Sequence, residues 1–407
     1  MHVVVFVAPY FTENAKRFIQ VTASLPDVAL GLVSEDPLDF LPPEVRAVVR
    51  AHARVSDGLS VAQIVGAARQ IEAELGPLHR ILGVIEQIQE PLAEAREQLG
   101  LPGMRVEQAR SFRDKTRMKD ALRAGGLPVA RHRLVTDDEA AARFAVEVGY
   151  PLVVKPPAGA ASQDTYRADD DVSLRKALAG ARAGGSGAVL LEEFVTGEEY
   201  SFDAFILDGE VRFCSVSHYD PAPLTVMQNP WIQWMVVLPR EIDAPDFDAI
   251  KAAGARSLEV LGLETGMCHL EWFRRRDDRI VVSEVAARPP GANICTMIAR
   301  AHDVDCVGAW ARLMVFGEFT PFPERRYAAG GAFLRGQGQG RVRAVHGLDV
   351  VGRDLGHLIT DARLPQIGHE KAKSYEGEGY ILLRHPETRV VEDALRHIVS
   401  TVRVELG

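Results

Sequence analysis

The first hundred residues alternate short apolar runs with helix-length amphipathic stretches, and this alternation constrains the fold more than any other feature. Val3 to Val7 is an apolar, β-branched run, followed by a helix-like stretch near Thr12 to Ser24 and a second strand near Val28 to Val33. A helical stretch near Val61 to Leu75, a strand at Arg80 to Val84 and a helix from about Glu90 to Leu99 continue the series. Such alternation predicts a parallel sheet flanked by helices. The opening MHVVVFVAPY has no basic region, and its apolar run is too short for a signal peptide or a membrane span. No G-x-G-x-x-G follows the first strand, so no dinucleotide is expected there.

Leu101-Pro102-Gly103 breaks the pattern, and a basic helix is expected from about Ser111 to Ala124, ending at Gly125-Gly126. The first boundary therefore falls near residue 105. Thr136 to Glu139 fits a capping box for a helix that ends at Gly149-Tyr150-Pro151, and the strand Leu152 to Lys155 comes next. Between Glu199 and His218 two alternating runs meet at Asp208-Gly209, a strong hairpin signal. A second pair, Met267 to Phe273 and Arg279 to Val285, is joined by the charged turn Arg274 to Asp278. The middle of the chain thus reads as antiparallel sheet with helices, and the whole as a mixture of α/β and α+β.

A net charge of -9 opposes non-specific attraction to nucleic acid or anionic lipid, which leaves a small molecule as the expected partner. Cys214, Cys268, Cys295 and Cys306 form no C-x-x-C pair and read as buried free thiols of a reducing cytoplasm.

Holding a nucleoside triphosphate requires cations for the phosphates, backbone groups for the base, a carboxylate for the ribose and oxygen ligands for a divalent metal. Candidates for all four occur in order. Lys115 lies on the basic helix, where a solvated lysine is the plainer reading. Lys155 ends the strand VVKP between apolar and proline neighbours, where an unpaired ammonium would be costly. The small-residue loop Pro157 to Thr165, including Ser162, lets backbone N–H groups approach phosphate oxygens. In LEEFVTGEEYSFD, Leu191 to Asp203, the chain turns between Glu193 and Gly197 and can offer backbone groups to a purine edge. Glu271 and Glu284 stand on two strands joined by a short turn. That arrangement can set two acids side by side as hard-oxygen ligands. Arg288 precedes two prolines, and its planar donors suit a phosphoryl group or an oxyanion. His269 shares a strand face with Glu271 and can support it.

In order and spacing, VVKP, LEEFVTGEE, HLEWF and SEVAARPPG resemble the ATP-grasp superfamily, and within it the carboxylate-amine ligases, above all bacterial L-amino acid ligases. The resemblance implies an ATP-grasp fold with three parts: a Rossmann-like pre-ATP-grasp domain at 1–105, a nucleotide-binding region at 106–316 and a module at 317–407 that completes the substrate cleft. It makes Lys115, Lys155 and Ser162 phosphate contacts, Glu192, Glu193, Phe194 and Val195 the adenine hinge, and Glu199 the ribose partner. Glu271 and Glu284 become ligands for Mg²⁺ (or Mn²⁺), and Arg288, with His269 beside it, faces the transferred phosphoryl group. The implied reaction joins a carboxylate to an amine, amino acids above all, through an acyl phosphate with release of ADP. A cytoplasmic homodimer is implied as well.

Two positions depart from the family pattern. Ala286 stands where many members have Asn, and Ser162 is followed by Gln163-Asp164, an acid that must turn outward beside a phosphate. The alternatives are an ATP-grasp carboxylase or kinase-like enzyme using bicarbonate or a hydroxyl, and a non-catalytic nucleotide binder. Met227 to Met235 reads equally as a substrate-covering lid or as a buried loop, and Arg335 as a solvated arginine rather than a carboxylate contact.

Overall fold

A computed structural model describes residues 1–159, 164–183, 187–372 and 374–407. The N-terminal alternation forms a four-stranded parallel sheet in the order Ala51–Arg54, Val28–Ser34, His2–Val7, Leu78–Leu82. Helices Glu13–Ala23, Val61–Leu75 and Gln89–Leu99 accompany it. Thr12 caps the first of these by accepting from the Ala15 N–H at 3.1 Å, which satisfies one of the orphan donors of the first turn. Val3, Val5 and Val7 face one core and Val4 and Phe6 another, as the two-residue period of a strand requires. The second core is shared with the rest of the molecule: Phe18 meets Trp310 edge-on at 4.8 Å.

Asp208-Gly209 does make a hairpin between Glu198–Leu207 and Glu210–Asp220, with φ of 55° and 77° as a two-residue turn of this hand demands. These strands lie inside an eight-stranded sheet in the order Ile280–Ala286, Gly266–Arg274, Glu198–Leu207, Glu210–Asp220, Trp234–Leu238, Ala328–Leu334, Gly379–His385, Ile359–Arg363. A smaller antiparallel sheet of four strands, His132–Val135, Val189–Glu193, Leu152–Lys155 and Tyr166–Ala168, carries helices Asp138–Val148 and Asp171–Ala183. A cleft lined by residues of both sheets separates them. No helix among the described residues is long and apolar enough to cross a membrane.

Several local expectations need correction. The basic helix is two helices, Val106–Arg113 and Lys115–Ala124, because Asp114 leaves helical geometry and caps the second by accepting from Thr116 and Arg117 N–H. The helix at Asp138 is capped by Asp137 rather than Thr136. Met227 to Met235 is not a loop throughout: it spans the end of helix Pro223–Gln228 and the start of strand Trp234–Leu238. Arg335 is buried, donating to the carbonyls of Val226 and Asn229 where that helix ends. A guanidinium there satisfies C-terminal carbonyls that the helix leaves open. Cys268, Cys295 and Cys306 are buried, Cys214 is half-buried, and all four thiols are free.

Candidate active site

Splitting the basic helix at Asp114 turns Lys115 and Lys119, one helical turn apart, toward the same side. Lys119 has no exposed surface; its ammonium donates to the Ser283 carbonyl at 2.8 Å and lies 3.3 Å from Glu192 Oε1. Lys155, at the end of its strand, lies 3.0 Å from the same oxygen. Burial pushes the Lys119 ammonium down to about 8 despite the attraction of Glu192. Burial opposes charge on Lys155 and Glu192 too, yet their mutual attraction wins: the lysine is held above its ordinary value and the carboxyl below its own. Lys115 instead reaches across the cleft and donates to Glu284 Oε1 at 2.8 Å and to the Gly159 carbonyl at 3.1 Å.

Glu271 and Glu284 are directly opposite each other across the strand pair. Glu284 is held down at about 2, because Lys115, with Lys155 and Arg288, overcomes the burial that would neutralise it. Glu199 lies close by and is raised well above the carboxylate range, first by burial and then by Glu271. His269 Nδ1 is 2.7 Å from Asp203 Oδ1, and its Nε2 is 3.5 Å from Glu271 Oε1. Burial disfavours the imidazolium, but Asp203 dominates and lifts it to about 9. Asp203 is in turn fixed by the Ser201 hydroxyl, which donates to its other oxygen at 2.7 Å.

At the hinge the Glu192 side chain turns inward to the lysines, so only its backbone is available to a base. The Glu193 and Phe194 N–H groups go to the carbonyls of Arg131 and Pro151. The Val195 N–H has no partner among the described residues, and a purine edge can take it. The Arg167 guanidinium lies 4.6 Å over the Phe194 ring at the same edge of the cleft. Ser162 lies outside the described residues. Asp164 is exposed, the outward disposition that an acid beside phosphate requires.

Arg288 Nε donates to Glu86 Oε2 at 2.7 Å, and Nη1 to the Pro289 carbonyl at 2.9 Å. Glu86 Oε1 accepts from Arg113 at 2.9 Å, so one buried carboxylate of the N-terminal region grips two arginines. Two cavities meet here. One, about 320 Å³, is lined by the lysines, the hinge and the acid pair; the other, about 350 Å³, opens beside the N-terminal sheet. His269, Glu271 and Arg288 line both. Lys119, Glu86 and Asp203 are the site residues that the sequence reading missed. Lys119 had a signal in its four-residue spacing from Lys115, while nothing local marks Glu86 as a partner of Arg288.

No group of three or more His, Cys, Asp or Glu residues is placed to hold a metal by itself among the described residues. The paired glutamates nevertheless fit Mg²⁺, which takes one or two carboxylates and completes its shell with phosphate and water oxygens.

The cleft between the small and the large antiparallel sheet thus carries lysines on one wall and paired acids on the other. The chain matches the ATP-grasp domain family over residues 148–297. It is 25% identical over 236 residues to an L-arginine-specific L-amino acid ligase of Bacillus subtilis, covering 57% of this chain and 56% of that one. It is 26% identical over 257 residues to the alanine–anticapsin ligase of Bacillus subtilis strain 168, covering 58% and 53%. The chain thus spans about half the length of the curated relatives it matches. The crystal structure of an L-amino acid ligase from Bacillus licheniformis superposes with a TM-score of 0.81 at 18% identity, over 100% of this chain and 99% of the other, and it shares the fold.

Proposed function

We propose that the protein is an ATP-dependent carboxylate-amine ligase that forms an amide or peptide bond through an acyl phosphate and releases ADP and phosphate. The observation that carries this reading is the meeting of two cavities at His269, Glu271 and Arg288. A triphosphate on the lysine side brings its terminal phosphoryl group to that boundary, where an acid from the other side can meet it. The names of the relatives, which are amino acid ligases, support amino acids as substrates.

In this reading Lys155 and Lys115 hold the phosphates, and Lys119 keeps Glu192 and the hinge strand in register with them. Glu271 and Glu284 hold Mg²⁺, which when bound neutralises triphosphate charge so that a second anion can approach. Arg288, fixed by Glu86, offers its remaining Nη2 group to the developing charge on phosphoryl and carbonyl oxygens. Asp203 keeps His269 cationic at the same boundary, where it adds a second positive contact. Cytoplasmic action as a homodimer completes the reading; a monomer seen by light scattering at micromolar concentration would overturn that part alone.

Chromatography of the spent nucleotide, with the protein supplied with paired amino acids, tests the chemistry. ADP and phosphate in step with a new amide are expected, and stoichiometric AMP would refute it. Glu284→Gln should remove turnover while circular dichroism shows the fold intact.

A further inference from the structure

The second cavity carries information about the substrate that the nucleotide cleft does not. Its walls are Val84 and Ile85 from the loop after strand Leu78–Leu82, Val226 and Met227 from the short helix, Trp234, and Ile294. Trp234 is stacked on Phe333 at 4.4 Å, and its indole N–H is satisfied by the Tyr375 carbonyl at 2.8 Å, so it presents an apolar face in a fixed orientation. The opposite wall is equally set. A Cβ on Gly291 would meet the Tyr375 hydroxyl at 2.4 Å, so the tyrosine would have to shift for a larger residue to stand there. Next to it Ala292 is held left-handed, at a φ of 50°, with its N–H donated to Glu376.

Charge within the chamber is confined. Apart from the shared boundary at His269, Glu271 and Arg288, the one charged lining residue among those described is Glu86. Arg113 takes one of its oxygens and Arg288 the other. A charged side chain reaching past the boundary, away from Glu271 and Arg288, would therefore be desolvated beside a carboxylate whose partners are already taken, which is strongly unfavourable. The polar residues Thr12, Asn14 and Gln87 are exposed and mark the mouth, and the hydroxyl-bearing Tyr219 and Tyr375 also line the chamber. An apolar cavity of about 150 Å³ holds a benzene ring. At about 350 Å³ this one has room for a phenyl-sized side chain together with the groups on its α-carbon.

We infer that the acid substrate is an amino acid with a large apolar side chain, aromatic or branched aliphatic, seated in this chamber with its carboxylate at Arg288 and His269. This inference rests on the ligase reading for the role of the acid, but not for its binding. Among the described residues Arg288 is the one arginine or lysine on the boundary, and a carboxylate placed there faces the phosphate side of the junction. An apolar pocket discriminates by about tenfold or more per methylene-sized difference. The preference for phenylalanine or leucine over serine should therefore be at least about tenfold in affinity.

The test is calorimetric titration of the whole protein, with Mg²⁺ and a non-hydrolysable ATP analogue present, using L-phenylalanine, L-leucine, L-serine and L-aspartate as probes. Phenylalanine and leucine should bind at least tenfold more tightly than serine, and aspartate should bind no better than serine. Met227→Asp places a carboxylate on a half-buried wall residue; it should abolish the preference while leaving affinity for the ATP analogue unchanged. Serine or aspartate binding as tightly as phenylalanine would overturn the inference. So would a Met227→Asp variant that keeps the preference, or no binding by any of the four. Nucleotide turnover separates this failure from that of the ligase reading. Tight phenylalanine binding without amide formation with any amine would refute the ligase and leave the chamber as assigned, whereas turnover with polar acids alone would do the reverse.

Discussion

Replacing Lys119 by Met removes an ammonium that has no exposed surface while keeping an unbranched chain of similar length. The ammonium titrates near 8 in the folded protein against 10.5 for a free lysine. Between these values the unfolded chain binds the proton and the folded one increasingly does not, so this group makes stability rise with pH across that window. Below pH 8 both states are protonated, and the folded state bears the full cost of the buried charge. At 1.36 kcal/mol per pH unit the whole window is worth about 3.4 kcal/mol, of which about 2.5 kcal/mol falls between pH 7 and pH 10. Other titrating groups cancel when wild type and Lys119→Met are compared at each pH. Urea unfolding of both proteins at pH 7 and pH 10 should show the wild type gaining about 2.5 kcal/mol on the variant. A difference constant to within about 0.5 kcal/mol would refute the buried, depressed ammonium and the Lys119–Glu192–Lys155 arrangement built on it.

Glu86→Gln keeps the shape of the clamp but weakens two charge-assisted bonds, to Arg113 and Arg288. At about 1.5–3 kcal/mol for such bonds, a stability loss of about 2–4 kcal/mol should appear in urea unfolding. The turnover number should fall with little change in the KM for ATP, and an unaltered turnover number would exclude Glu86 as the residue that positions Arg288. Lys155→Ala should weaken ATP far more than the acid in calorimetry on the folded variant; equal losses would point to general damage of the cleft.

How much was legible depends on where each signal resides. Asp208-Gly209 and the strands that flank Arg274 to Asp278 are local patterns, and with them came the opposition of Glu271 to Glu284, since a short connection fixes register. Strand Ala51–Arg54 went unread because its alternation, Ala-His-Ala-Arg, spans only four residues and its apolar members are small. The break at Asp114 was hidden inside a continuous helix-forming stretch, and its one local signal is that Asp is a favoured N-cap residue, as it is for the helix Lys115–Ala124. Arg335 looked solvated because its partners, the carbonyls at the end of Pro223–Gln228, lie more than a hundred residues away. Lys119 was overlooked for a different reason: a second lysine on a basic helix reads as surface until the facing Ser283 and Glu192 are seen. The apolar chamber draws its lining from six separate parts of the chain, and no single segment reveals its size.

That the loop leaving the N-terminal sheet supplies Val84, Ile85 and Glu86 has a consequence for engineering. Exchanging this sheet and its loops with those of a relative would not be a neutral scaffold swap. The graft would carry part of the substrate chamber with it, together with the carboxylate that anchors Arg288 from outside the ATP-grasp match. Chimeras cut there should inherit selectivity from the N-terminal parent and lose rate wherever the incoming loop lacks an acid at the position of Glu86. Directed evolution toward new acids would accordingly gain more from diversifying the loop at Val84 to Gln87 together with Met227 than from altering the nucleotide-binding motifs.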